Sequence, residues 1–144
     1  MSEITYHHDM LQYSEEWWKI RLGILTASNM KMLITPKGAI SKAKTVTEFA
    51  SELAAQRETQ HLEEGFISWD MERGKIEEDF ARKAYSKNIS PVAECGFITR
   101  NFDGFIVGMS PDGLVGSEGG IEIKSRKQKF QVQTIVSGDM PNEY

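Results

Sequence analysis

The apolar positions along the chain predict helices first and an antiparallel meander of strands afterwards. Ser14 is placed to N-cap a helix whose first turn carries Glu15 and Glu16, with buried positions among Trp17, Trp18 and Ile20. Gly23 breaks it, and Leu22, Ile24 and Leu25 suit a short extended piece. Thr26 or Ser28 caps a second short helix holding Met30, Met32, Leu33 and Ile34, which Pro36-Lys37-Gly38 ends. Residues 38–46 read as a loop. Thr47 caps a helix through about Arg57, with Phe49, Ala50, Leu53 and Ala54 at helical spacing. The longest helix opens at Ser68 and runs to about Ser86, burying Trp69, Ile76, Phe80, Ala81 and Tyr85, with Asn88 as its stop.

Beyond Ser90-Pro91 the period changes. Val92 to Arg100 reads as a strand, and Asp103-Gly104 marks a hairpin turn into a second strand, Phe105 to Met109. After the turn Ser110-Pro111-Asp112-Gly113, Leu114-Val115 begins a third strand, and Ile121 to Ser125 returns as a fourth. Phe130 to Val136 suits either a helix or a strand. The N-terminal end, including His7 and His8, is expected to be solvated. His61 carries no partner pattern and no assigned chemistry.

Composition narrows the class. A chain of 144 residues suits one domain, 1–144, with a substantial core. The net charge of -4 argues against a uniformly basic DNA-coating protein. It leaves room for a nuclease, in which an acidic metal site lowers the total while a local basic patch holds phosphates. Cys95 is the only cysteine, which excludes an internal disulfide and a cysteine-based zinc site and fits a reducing cytosol. No apolar run has signal-peptide or membrane-spanning length, so a soluble, cytoplasmic protein is expected.

The chemistry concentrates in Met109 to Ser125. Side chains alternate faces along a strand, so Glu122 and Lys124 share a face and Ile123 takes the other. With Asp112 at the mouth of the same hairpin, two carboxylates and an ammonium converge. That set suits a magnesium ion and an activated water, and equally the solvated face of an ordinary hairpin. On the long helix, Gly74 permits close approach of another segment, and Glu78 lies one turn on along the same face. Near Thr26 and Ser28, free backbone N–H groups and hydroxyls can take an anion, with Arg21 just upstream to fork onto a phosphate. Simple capping by Thr26 and Ser28 with a solvated Arg21 explains the same residues.

Four stretches, in order, resemble one family: Arg21 to Ser28 (RLGILTAS), Gly74 to Glu78 (GKIEE), Ser110 to Leu114 (SPDGL) and Glu122 to Lys124 (EIK). Together they are similar to the lambda-exonuclease-like, YqaJ-type viral recombinase nucleases of the PD-(D/E)xK superfamily, over roughly residues 14–130. The resemblance implies an α/β (α+β) restriction-endonuclease-like core: a mixed, mostly antiparallel sheet flanked by helices. It implies Asp112 and Glu122 as metal-binding carboxylates, the Ile123 carbonyl as a further ligand, and Glu78 completing the site, with Glu77 the competing choice. Lys124 would orient or deprotonate the attacking water. Arg21, Ser28 and Ser110 would hold a 5′-terminal phosphate.

The implied activity is magnesium-dependent 5′→3′ digestion of linear duplex DNA, with manganese as a substitute ion. The implied partners are DNA ends and a single-strand-annealing recombination protein, and the implied assembly is a ring trimer. A PD-(D/E)xK endonuclease and a catalytically silent end-binding or assembly subunit are the alternatives. The silent subunit has no need of a complete acid-acid-lysine set. A CRISPR-adaptation-like exonuclease would need four cysteines for an iron–sulfur cluster. Family members are longer, so the C-terminal part is expected to be missing. The family's glutamine-motif helix finds no match in Gln128, Gln131 or Gln133, which lie too early.

Overall fold

A computed structural model describes residues 2–63 and 69–139, with side chains left undescribed at 69–71. Its architecture is mixed α/β, with a mixed, mostly antiparallel sheet and helices around it. The four strands run in the order β1 (Glu3–His7), β3 (Phe97–Phe102), β4 (Phe105–Met109), β2 (Leu25–Thr26). β1 and β4 are antiparallel to β3, and β2 is parallel to β4, with Leu25 opposite Val107.

The turn between β3 and β4 follows from its sequence. Asp103 and Gly104 both have positive φ, 51° and 98°, as the two-residue hairpin loop that matches strand twist requires. Asn101 Oδ1 accepts the Gly104 N–H at 2.7 Å and closes it. The N-terminal end departs from expectation. It forms β1, pairing His7 with Phe97, and His7 Nε2 lies 3.3 Å from Thr99 Oγ1. Without it the outer edge of β3 would present unpaired backbone groups.

The expected single meander is also corrected. At Pro111 the chain leaves the first sheet, and β5 (Gly113–Val115) and β6 (Gly119–Ile121) make a separate hairpin. Proline has no N–H to continue a ladder. The hairpin is tied back through Ala93 and Leu114, which exchange both backbone hydrogen bonds at 2.8 Å. That bridge is what the structure makes of the early part of the strand expected from Val92; regular pairing starts at Phe97.

Ser14 caps α1 (Glu15–Ile20) as expected, its side chain accepting the Trp17 N–H. The next turn is a 3₁₀ helix, Ala27–Met32, and Thr26 makes no side-chain cap; its hydroxyl meets Ser28 Oγ at 3.0 Å instead. α2 spans Lys44–Thr59, starting three residues before the expected cap at Thr47, behind Ala43. Gln56 on α2 is buried and accepts the Gly23 N–H at 3.0 Å, while Arg57 Nε donates to the Gly23 carbonyl at 2.6 Å. Gly23 has a φ of 64°, and a Cβ there would run into the Arg57 side chain. The clamp fixes the turn between Arg21 and β2.

α3 covers Trp69–Asn88; the expected start at Ser68 and the side chain of Trp69 lie outside the described residues. Ile76 and Phe80, expected inside, are 62% and 68% exposed. The helix turns its Gly74, Glu78 and Arg82 stripe inward instead, because those residues, four apart, meet the β5–β6 hairpin and its flanks. α4 is a helix, Gln128–Ser137, closed by Gly138 at φ 71°.

Trp17, Leu25, Phe49, Cys95 and Phe97 form the buried core. Phe97 has no exposed surface, and its ring fills the space over Gly108, where a Cβ would lie 2.5 Å from the ring's Cε1. Among the described residues no helix is long and apolar enough to cross a membrane.

Candidate active site

Arg21 caps the C-terminus of α1, so helix and side chain share one origin. Its guanidinium lies 4.1 Å from the Trp17 ring centroid and 5.5 Å from that of Phe97. From there Nη1 reaches Ser110 Oγ and Nη2 reaches Ser28 Oγ, each at 3.5 Å. Trp17 Nε1 donates to Ser110 Oγ at 2.8 Å and holds that hydroxyl in place. The three residues expected to hold a phosphate are therefore gathered around one guanidinium. Burial lowers the Arg21 pKa, yet a guanidinium stays charged at any physiological pH. No carboxylate among the described residues pairs with it.

Two residues beyond Ser110, Asp112 sits at the open end of the β5–β6 hairpin. The pairing of Gly113 with Ile121 brings Asp112 opposite Glu122. Asp112 Oδ2 accepts the Ile123 N–H, and Arg82 Nε donates to the Asp112 carbonyl at 2.6 Å. Arg82 Nη2 also donates to Glu78 Oε1, which couples α3 to the hairpin. Lys124 Nζ pairs with Glu122 Oε1. β6 ends at Ile121, so Glu122 and Lys124 lie in irregular chain beyond the strand, and their ion pair is what brings them together.

Electrostatics ties the acids to one another. Burial pushes the Glu78 carboxyl above its ordinary pKa, and the Asp112 charge adds to this, while Arg82 opposes it. Burial likewise raises Asp112. Its bond from Ile123 pulls the other way, Glu122 raises it further, and Lys124 and Arg82 oppose. The three carboxylates thus lie within mutual electrostatic range. Among the described residues, however, no three His, Cys, Asp or Glu side chains close into a metal-holding cluster. Arg82 and Lys124 draw Glu78 and Glu122 toward themselves. Glu77 faces elsewhere: it accepts from Ser125 Oγ and lies 3.6 Å from Arg73. The close approach expected at Gly74 is made by Ser125, whose Cβ would stand 3.9 Å from a Cβ at Gly74.

Residues 16–144 match the YqaJ-like viral recombinase domain. The chain belongs to that family. Among solved structures, this YqaJ-like chain is similar to an alkaline exonuclease, LHK-Exo, from Laribacter hongkongensis, at 34% identity and a TM-score of 0.71, covering 90% of this chain and 63% of that one. It is also similar to LHK-Exo in complex with dAMP, at 33% identity and a TM-score of 0.70, with the same coverage. The chain therefore spans 63% of the length of these solved relatives. No curated protein matches it.

The YqaJ-like chain also has residues at the site that sequence reasoning passed over. A cleft of about 380 Å³ opens beside the acids, lined among others by Tyr13, Lys75, Glu78, Arg82, Pro111 and Asp112. Gln12 Nε2 donates to the Pro111 carbonyl at 3.0 Å and steadies the segment between Ser110 and Asp112. Two of these residues had a readable signal. Arg82 lies four residues after Glu78, and Trp17 four before Arg21, so each shares a helix face with its partner. Tyr13 and Gln12 had none, because only the fold brings them to the cleft.

Proposed function

We propose that this chain carries the end-gripping and hydrolytic site of a magnesium-dependent nuclease that digests linear duplex DNA from 5′-phosphorylated ends. The observation that carries this is the Arg21 fork to Ser28 and Ser110, two residues away from Asp112. A guanidinium with no carboxylate partner among the described residues, flanked by two hydroxyls, has the charge and donor geometry for a terminal phosphate. LHK-Exo, which resembles this chain, is an alkaline exonuclease and has been crystallised with dAMP.

Glu78, Asp112, Glu122 and the Ile123 carbonyl would hold the ion. They fit it chemically: all are hard oxygen donors, and burial and mutual repulsion raise the Glu78 and Asp112 pKa values despite the opposing charge of Arg82, a balance that a bound cation would favour. Bound magnesium, or manganese in its place, supplies a water of lowered pKa and charge compensation at the leaving oxygen. Lys124, held at the edge of the acids by Glu122, orients the attacking water or takes its proton. Attack on phosphorus breaks the bond to the 3′ oxygen and leaves a 5′ phosphate on the next nucleotide. Arg21, Ser28 and Ser110 can grip that new end, which gives stepwise 5′→3′ digestion. Within recombination the exposed 3′ strand would pass to a single-strand-annealing protein, and a ring trimer would keep the enzyme on its substrate.

A digestion assay tests the reading, with linear and circular duplexes, 5′-phosphate and 5′-hydroxyl ends, and wild type against Lys124→Ala. Magnesium-dependent loss of linear, 5′-phosphorylated substrate is expected. Equal rates on circular DNA would favour an endonuclease, and indifference to the 5′ phosphate would remove the roles given to Arg21, Ser28 and Ser110.

A further inference from the structure

The cleft contains a cation that helical geometry should have neutralised. Lys75 on α3 has Glu78 three residues ahead and Asp79 four ahead, both within reach of an intrahelical ion pair. Neither takes it. Glu78 is engaged by Arg82, and Asp79 by Lys83 at 2.6 Å. The Lys75 ammonium sits instead 3.8 Å from the centroid of the Tyr13 ring, and among the described residues it makes no ion pair. A cation on an aromatic face keeps its charge available to an anion while its position is restricted.

Tyr13 is unusual in its own right. Its φ is 69°, a left-handed conformation that suits glycine and disfavours a bulky side chain. Such a conformation persists only where its surroundings enforce it, and it concentrates at working sites. The ring also packs on Trp17, with centroids 5.1 Å apart at 45°, and Trp17 is the residue that carries Arg21 and Ser110. Burial and then the charges of Glu78 and Asp112 push the Tyr13 hydroxyl pKa up, and Arg21 opposes them, so the residue lies within electrostatic reach of both halves of the site.

We propose that Tyr13 and Lys75 form a second phosphate contact in the cleft that Glu78 and Asp112 also line. Lys75 binds a backbone phosphate of the substrate strand, and Tyr13 is the positioning residue that holds the ammonium there. The contact rests on the reading of the cleft as a DNA site, and it adds a phosphate that neither the end pocket nor the acids account for.

Binding without turnover tests it. Fluorescence anisotropy of this chain with a labelled, 5′-phosphorylated duplex, in EDTA and across a salt series, gives affinity and salt slope together. Lys75→Ala should weaken binding about three- to tenfold and reduce the slope by about 0.9, the signature of one lost phosphate contact. Lys75→Arg should recover most of both. Tyr13→Gly should weaken binding comparably, while relief of the left-handed backbone offsets part of the packing on Trp17 that is lost with the ring. Tyr13→Phe, which keeps the ring, should rescue the affinity. Wild-type binding with an unchanged affinity and slope in Lys75→Ala overturns the contact alone. Unchanged affinity in Tyr13→Gly, or a loss that Tyr13→Phe does not restore, overturns the positioning role. A wild type without salt-dependent duplex binding overturns both the contact and the nuclease reading beneath it.

Discussion

Replacing Trp17 by phenylalanine separates the two duties of that residue, and its cost can be worked from the structure. Trp17 is 5% exposed, and its indole N–H donates to Ser110 Oγ at 2.8 Å and to the Gly96 carbonyl at 3.2 Å. Phenylalanine keeps an aromatic body under Arg21 and loses the donor. The buried Gly96 carbonyl then lacks this partner, at about 1–3 kcal/mol. The missing part of the indole leaves a gap that adds about 1 kcal/mol. The sum is about 2–4 kcal/mol, which for a chain of this size lowers Tm by roughly 6–12 °C. Differential scanning calorimetry reads it directly. Trp18→Phe is the control, since Trp18 is 41% exposed and only packs its edge on Trp17, so it should cost under about 1 kcal/mol. Ser110 also loses the donor that orients it, so preference for 5′-phosphorylated over 5′-hydroxyl ends should fall. A Tm within about 2 °C of wild type, with end preference intact, would refute the assignment of Trp17 as the anchor of this pocket.

Three further outcomes follow from the same structure. Arg21→Lys keeps the charge but loses the fork to Ser28 and Ser110, and should reduce discrimination for the 5′ phosphate about tenfold in paired digestion assays. Asp112 and Glu78 have raised pKa values when folded, so the folded chain binds their protons more tightly than the unfolded chain. The stability they contribute is present below the ordinary carboxylate range and is lost as pH rises through the raised values. Asp112→Asn should therefore flatten that decline in urea titrations at stepped pH, and magnesium should offset it in wild type only. Gly108→Ala would drive a methyl to within 2.5 Å of the Phe97 ring and 3.1 Å of Ile24 Cδ1, and should destabilise by about 1–3 kcal/mol by chemical denaturation.

What the sequence discloses here is local, and what it conceals is pairing at a distance. Ser14, Asp103-Gly104 and the run Phe105 to Met109 speak for themselves, because capping, turn conformation and strand alternation are decided within a few residues. Arg21, Ser28, Asp112 and Glu122 are likewise legible as candidates from residue type and order, whereas Ser110 reads as a turn residue and becomes a candidate only through the family resemblance. The strand at Glu3–His7 was not legible, since its partner begins 90 residues later and no turn announces it. Nor was the outward aim of Ile76 and Phe80: periodicity finds an apolar stripe, but the neighbour that meets a helix decides which stripe turns in. The ammonium of Lys75 on Tyr13 depends on a backbone conformation that no residue pattern encodes.

Ser110 and Asp112 are separated by one buried residue, Pro111, whose carbonyl Gln12 holds and whose ring fixes its own φ. If Ser110 grips the terminal phosphate and Asp112 serves hydrolysis, the distance from grip to cut is a covalent length, at most about 7 Å from Cα to Cα. Such an enzyme carries its measuring stick in its own backbone. The size of the fragment released per cycle would then be insensitive to domain motion, salt or temperature, and would change only when a residue is inserted into or removed from that three-residue link.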